Sequence, residues 1–145
     1  TAVTGFFSGT QQVLTLAESG TYTVEVVGSG FVATGEYSLG LECLVQPSPD
    51  AVALDCGSLV SGSITTASEV DLFTFSGAEG DVVALTITGS QMVARVFGPS
   101  GTAVTGFFSG TQQVLTLAES GTYTVEVVGS GFVATGDYSL GLECI

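Results

Sequence analysis

Apolar and polar residues alternate along most of this chain. In Gly121–Val128, Tyr123, Val125 and Val127 share one face, and Thr122, Thr124 and Glu126 the other. In Asp137–Cys144, Tyr138, Leu140, Leu142 and Cys144 fall together. Val83, Leu85 and Ile87 alternate with Val82, Ala84 and Thr86. Cys56, Ser58, Val60, Gly62 and Ile64 line up on one side of another segment, and Asp71, Phe73 and Phe75 on one side of the next. A period of two is the mark of strands with one buried face. Turn chemistry separates these runs: Ser76–Gly80 (SGAEG), Gly98–Gly101 (GPSG), Glu119–Gly121 (ESG) and Gly129–Gly131 (GSG). No segment carries a convincing amphipathic-helix pattern. About eight short strands at roughly ten-residue spacing predict an all-β chain folded as an antiparallel β-sandwich.

The pattern also repeats. Residues 1–43 and 102–144 align at an offset of 101 without a gap, and differ only where Glu36 becomes Asp137. A period of that length is a whole domain and not a solenoid unit. The repeat unit thus runs from about Leu44 to Cys144. The chain divides into the C-terminal half of one unit (1–43), a Pro-containing linker (44–50) and one complete unit (51–145). The half unit holds about four strands of pattern and no first half to cover their apolar face. The chain reads as a window on a tandem array, cut in the GPSG turn. Each chain carries one N-terminal half and two C-terminal halves, so exchange between chains always leaves one C-terminal half over. Identical neighbours also invite strand swapping.

Composition narrows the function. There is no Lys, His, Trp or Asn; Arg95 is the sole base against 14 acidic residues, for a net charge of −13. Nucleic acid is not an expected partner, because neutralising phosphates takes clustered Lys and Arg. Anionic membrane surfaces are disfavoured on the same ground, and no apolar run approaches the ~18–20 residues of a membrane-spanning helix. Only 10% of residues are charged, against about 25% in an ordinary soluble domain. The surface must be built from Thr, Ser, Gly and Gln with some apolar side chains. Two readings stand: a neutral-surfaced secreted protein, or a surface largely covered by copies of itself.

Four motifs in order carry a family resemblance. They are Asp71-Leu72-Phe73-Thr74-Phe75, Phe97-Gly98-Pro99-Ser100-Gly101, Gly121-Thr122-Tyr123-Thr124-Val125 and Tyr138-Ser139-Leu140. The stretch from about Asp55 to Cys144 resembles the bacterial pre-peptidase C-terminal domain, and residues 1–43 resemble its C-terminal part. The resemblance implies a jelly-roll-like sandwich, secretion, and a non-catalytic role beside proteases or in surface proteins. The chain departs from that family in its few charges and near-identical tandem copies.

Cys56 opens the first strand of the complete unit and Cys144 closes the last. First and last strands of such sandwiches are commonly neighbours, so a Cys56–Cys144 disulfide is expected, facing inward by parity. The alternative is two buried thiols. Cys43 is the odd cysteine, its expected partner a cysteine outside this unit. No cysteine has a second Cys or a His at metal-ligand spacing.

Little else can carry chemistry. Without His or Lys there is no Ser-His, Cys-His or Ser-Lys pairing, and no catalysis is expected. The glycines at 28–35 and 129–136 lie between strands and spell no dinucleotide fingerprint. Glu69, Asp71, Glu79 and Asp81 surround one predicted hairpin and are the calcium candidates, since loop oxygen ligands suit Ca²⁺. Their spacing matches no dedicated calcium loop, and solvated carboxylates at strand ends are the alternative. Asp71 shares a face with Phe73 and Phe75, so it should be partly buried and hydrogen-bonded. No other cofactor is implied.

Phe31, Val32, Phe132 and Val133 sit at tips of glycine-rich hairpins and are candidates for self-association. Each Phe-Phe pair, Phe6-Phe7 and Phe107-Phe108, must turn at least one ring outward. These features point first to a non-catalytic, extracellular structural building block, a tandem repeat of a surface fibre or filament whose partner is itself. The alternative is an accessory or adhesion module that binds a polysaccharide or protein. Its weakness is the lack of exposed aromatic faces, since the four tyrosines read as core.

Overall fold

The computed structural model describes residues 1–45 and 49–145; Gln46, Pro47 and Ser48 of the predicted linker lie outside the described residues. All nine strands among the described residues fall within residues 51–145. They are β1 (Val52–Ala53), β2 (Ser58–Ile64), β3 (Val70–Gly77), β4 (Val82–Gly89), β5 (Met92–Phe97), β6 (Ala103–Phe108), β7 (Thr111–Thr116), β8 (Gly121–Gly129) and β9 (Gly136–Cys144). They form a five-stranded sheet in the order β1-β3-β8-β5-β6 and a four-stranded sheet in the order β2-β9-β4-β7. Every pairing is antiparallel except the short β1–β3 pair. The chain is a β-sandwich, as the alternation predicts.

The predicted alternation holds where it matters for packing. Val83, Leu85 and Ile87 of β4 and Tyr123, Val125 and Val127 of β8 are buried between the sheets with Tyr138, Leu140 and Leu142 of β9. Phe73 meets Tyr138 edge-on across the two sheets, with ring centroids 6.3 Å apart. Phe75 stacks on Tyr123, its direct cross-strand partner, at 5.2 Å. Phe107 points into the core and Phe108 outward, as the paired rings require. The GPSG turn closes with Gly101 N–H donating to the Gly98 carbonyl at 2.9 Å. Gly101 takes a positive φ of 82° there, which costs glycine little.

The strand pairings divide the sandwich in an instructive way. β6 pairs with β5, β7 with β4, β8 with β3 and β5, and β9 with β2 and β4. No two strands of the 102–144 half pair with each other. The core is shared in the same manner: Ile64, Phe73, Phe75, Leu85, Ile87 and Met92 come from one half, and Leu115, Tyr123, Val125, Tyr138, Leu140 and Leu142 from the other. Apart from the two-residue β1–β3 pair, neither half pairs its strands internally, and neither has a core of its own.

Residues 1–45 contain no strand among the described residues. Their backbone–backbone hydrogen bonds are confined to the turn at Gly28–Ala33, and most of their apolar side chains are exposed. The pairing scheme explains this. The strands of their counterparts at 102–144 pair only with β2–β5, and here β2–β5 are already taken.

Candidate assembly interface

Residues 1–43 lack sheet structure, yet they hold the local conformation of their counterparts. Tyr22 Oη donates to the Glu18 carbonyl at 2.8 Å, and Tyr123 Oη to the Glu119 carbonyl at 2.9 Å. Thr10 Oγ1 donates to the Phe7 carbonyl, as Thr111 Oγ1 does to the Phe108 carbonyl, both at 2.5 Å. The three-residue 3-10 turns Ser29–Phe31 and Ser130–Phe132 match, with the aromatic residue at φ 61° in each. A side chain on Gly28 or Gly129 would run into the carbonyl of Ala33 or Ala134. These contacts span at most a few residues, so they form whether or not a sheet does. Residues 1–43 thus share the turns of 102–144 without their sheet pairing.

In the present fold this half lies against the outer face of the five-stranded sheet. The Leu44 carbonyl accepts from Thr124 Oγ1 at 2.7 Å, and the Ser38 carbonyl from Ser68 Oγ at 3.2 Å. Gln11 Nε2 donates to Glu126 Oε2 at 2.6 Å, and Arg95 Nη1 donates to Gln11 Oε1. Glu126 faces away from the core yet is fully buried. Its Oε1 has no hydrogen-bond partner, with Arg95 Nη1 3.9 Å away. Burial raises the Glu126 pKa above the usual carboxylate range; the Gln11 hydrogen bond and the Arg95 charge oppose that only in part.

Arg95 stands directly opposite Glu126 in the β5–β8 register, and its guanidinium carbon lies 5.0 Å from the centre of the Phe132 ring. The sole base of the chain thus lies, one third exposed, against a carboxylate, an amide and an aromatic ring. Nothing local in the sequence announces this cluster.

The predicted site residues separate as follows. Cys56 and Cys144 are disulfide-bonded, with Cα atoms 5.3 Å apart. The bond sits at the surface and not on the inward face that parity predicts, because both cysteines lie beyond the strand stretches covered by the opposite sheet. Cys43 is an exposed thiol.

The four calcium candidates are not brought together. Glu69 and Asp71 stand at the start of β3, and Glu79 and Asp81 follow its end. Eight strand residues at about 3.3 Å each hold the two pairs roughly 20 Å or more apart. Glu69 Oε2 accepts from Thr65 N, Thr65 Oγ1 and Thr66 N at 2.7, 2.9 and 3.0 Å. These bonds, the Thr65 backbone one foremost, lower the Glu69 pKa. Asp71 accepts from Tyr138 Oη at 2.5 Å, which realises the predicted half-buried rim carboxylate; burial raises its pKa. Burial, then Asp71 itself, raises that of Tyr138. Asp81 Oδ2 accepts from Ala78 N at 2.9 Å, and the Glu79 amide donates to Ser120 Oγ at 2.9 Å. Among the described residues, no group of three or more potential ligands is placed to hold a metal ion.

Of the four self-association candidates, Phe31, Val32 and Val133 are exposed, and Phe132 is half-covered by Arg95. Among the described residues, no helix is long and apolar enough to cross a membrane.

No protein-family model matches the chain, nor does any curated protein. Solved structures do. The periplasmic inhibitor of g-type lysozyme PliG from Aeromonas hydrophila matches with a TM-score of 0.58 at 20% identity, over 66% of this chain and 96% of that one. PliG from Salmonella Typhimurium matches with a TM-score of 0.55 at 18% identity, over 68% and 100%. The pre-peptidase C-terminal domain of collagenase from Bacillus anthracis matches with a TM-score of 0.54 at 17% identity, over 68% and 100%. At such identities the likeness is one of fold. The class is that of small two-sheet sandwiches, and it includes the pre-peptidase C-terminal domain that the motifs resemble.

Proposed function

We propose that this chain is a non-catalytic building block of a secreted tandem-repeat surface fibre or extracellular filament. Residues 1–43 are the C-terminal half of one sandwich unit and residues 51–145 a complete one. Units join when such a half is completed by the N-terminal half of a neighbouring repeat. One observation carries this reading: a segment that matches half of the sandwich at all but one position holds the right turns while its strand partners are taken by another copy. An unpaired half of this kind exposes strand edges and apolar faces that in nearly every stable protein are covered.

Further features agree with it. The Cys56–Cys144 bond suits an oxidising, extracellular setting, and Cys43 is exposed where a bond to a neighbouring unit would form. The buried Glu126 on the outer sheet face, bonded to Gln11 of residues 1–43, fits a face that another repeat covers. Catalysis lacks its usual groups, with no His or Lys in the chain.

A second reading, an accessory or adhesion module for a polysaccharide or protein, draws on a depression of about 510 Å³ on the outer face of the four-stranded sheet. It is lined by Ser61, Ser63, Thr88, Asp137 and Ser139. The module lacks an exposed aromatic platform there, since the Tyr138 hydroxyl is turned to Asp71.

Light scattering of the native material with and without reductant tests the proposal. A large or heterogeneous mass that falls on reduction is expected. A clean 14.5 kDa species in both conditions would sink the filament reading and favour the binding module.

A further inference from the structure

We infer that residues 1–43 and 102–144 are interchangeable occupants of the same place. In a second folded form of this chain, residues 1–43 pair with β2–β5, residues 102–144 are released, and Cys43 replaces Cys144 in the bond to Cys56. The inference rests on reading 1–43 as a C-terminal half, but it concerns a single chain and needs no assembly.

The register is dictated by the existing one. Tyr138, Leu140 and Leu142 stand opposite Gly62, Val60 and Ser58; Tyr37, Leu39 and Leu41 are the same residues 101 positions earlier. Tyr123, Val125 and Val127 stand opposite Phe75, Phe73 and Asp71, and Tyr22, Val24 and Val26 repeat them. The core would be filled by identical side chains. The single difference lies at an exposed position, where Asp137 Oδ1 accepts from Ser63 Oγ at 2.5 Å and Glu36 has the longer arm for the same bond. The turns of residues 1–43 are already set.

The covalent geometry permits the exchange. Cys43 would take the place of Cys144, whose Cα is 5.3 Å from that of Cys56. The 14 residues 44–57 before β2 can close that gap and still pass through β1. The sulfur chemistry balances. Cys43 gives up its proton and attacks the Cys56 sulfur as a thiolate. The Cys43–Cys56 bond forms as the Cys56–Cys144 bond breaks, and Cys144 leaves as a thiolate that takes up a proton. One disulfide and one thiol stand on each side, so no oxidant or reductant is consumed.

With identical cores, the connection length sets the preference. The observed form closes the five residues 98–102 between β5 and β6; the exchanged form closes the 14 residues 44–57. Loop-closure entropy favours the shorter connection about fivefold, and the contacts of Gln11 and Leu44 with the five-stranded sheet add to that preference.

Cys144→Ser removes the occupant's anchor and so selects the exchanged form. After cleavage at glutamates, the peptide Cys43–Glu69 of this variant holds both remaining cysteines. It is expected two hydrogens lighter than its reduced form and closed to alkylation, from a chain that keeps its β-sheet circular dichroism. A folded Cys144→Ser chain in which Cys43 and Cys56 both alkylate would overturn the inference. Should that variant fail to fold, the unmodified chain equilibrated in glutathione buffer decides. A Cys43–Cys56 isomer in up to about one chain in six is expected, and its absence refutes the exchange. A monomeric mass in light scattering alongside a Cys43–Cys56 bond would reject the filament while keeping the exchange.

Discussion

Val24 and Val125 sit in identical 23-residue stretches, 4–26 and 105–127. Val125 has no solvent exposure, whereas Val24 is 62% exposed. Leu140 and Leu39 differ in the same way, at 0% and 52%. The turns on either side agree to within a few degrees. The contrast teaches that, in this sandwich, a strand belongs to its partners. Hydrogen bonds that close within four residues appear in both copies; those that need β2–β5 appear in one.

The largest effect should come from making one substitution twice. Leu140→Ala empties a fully buried site and is expected to cost about 2–5 kcal/mol. Leu39→Ala should cost within about 0.5 kcal/mol, as exposed changes do. Urea unfolding of the two variants measures the difference, and equal losses would mean that both copies pack alike.

The disulfide gives the next test. Cys56→Ser leaves neither Cys43 nor Cys144 a partner within the sandwich and should lower stability by about 2–4 kcal/mol. Cys144→Ser should lower it less, because Cys43 is there to replace it. Equal losses in thermal melts of the two variants would count against the interchange.

A smaller effect is expected at Glu126, which is buried with one oxygen unpaired, while its repeat counterpart Glu25 is exposed. Glu126→Gln removes a buried charge that burial disfavours and should stabilise at neutral pH; Glu25→Gln should change little. The sign of the pH dependence follows. The folded protein binds the Glu126 proton more tightly than the unfolded chain does. Its contribution to stability is therefore greatest below the ordinary carboxylate pKa and is lost as pH rises through the raised value. Asp71 contributes with the same sign. Stability measured from pH 4 to 8 should slope less steeply in Glu126→Gln, and an unchanged slope would place the titration elsewhere.

The smallest contrast is between the loop phenylalanines. Phe132→Ala removes the ring beside Arg95 and should cost about 0.5–1 kcal/mol. Phe31→Ala removes a ring that is 83% exposed and should leave the melting temperature unchanged.

Much of the fold of residues 51–145 is legible in the sequence alone. Alternation placed Val83, Leu85, Ile87, Tyr123, Val125 and Leu140 in the core, because the two faces of a strand are set by parity alone. The GPSG and ESG turns were legible from glycine and proline, whose backbone preferences are local. The Cys56–Cys144 bond was expected from the order of the strands in similar sandwiches, though its place at the surface was not. The proposed calcium grouping did not survive, since nearness in sequence across an extended strand is distance in space. The cluster of Arg95 with Glu126, Gln11 and Phe132 was not legible, because its members are brought together from positions up to 121 residues apart.

What the sequence determined by itself is therefore whatever closes over a few residues. That comprises the strand faces, the turns, the Tyr22 and Tyr123 corners, and the likeness of the two copies. Only the tertiary structure decided which copy becomes sheet. One N-terminal half offers one set of pairing edges, backbone groups cannot pair twice, and so of two identical segments one is a strand set and the other is not.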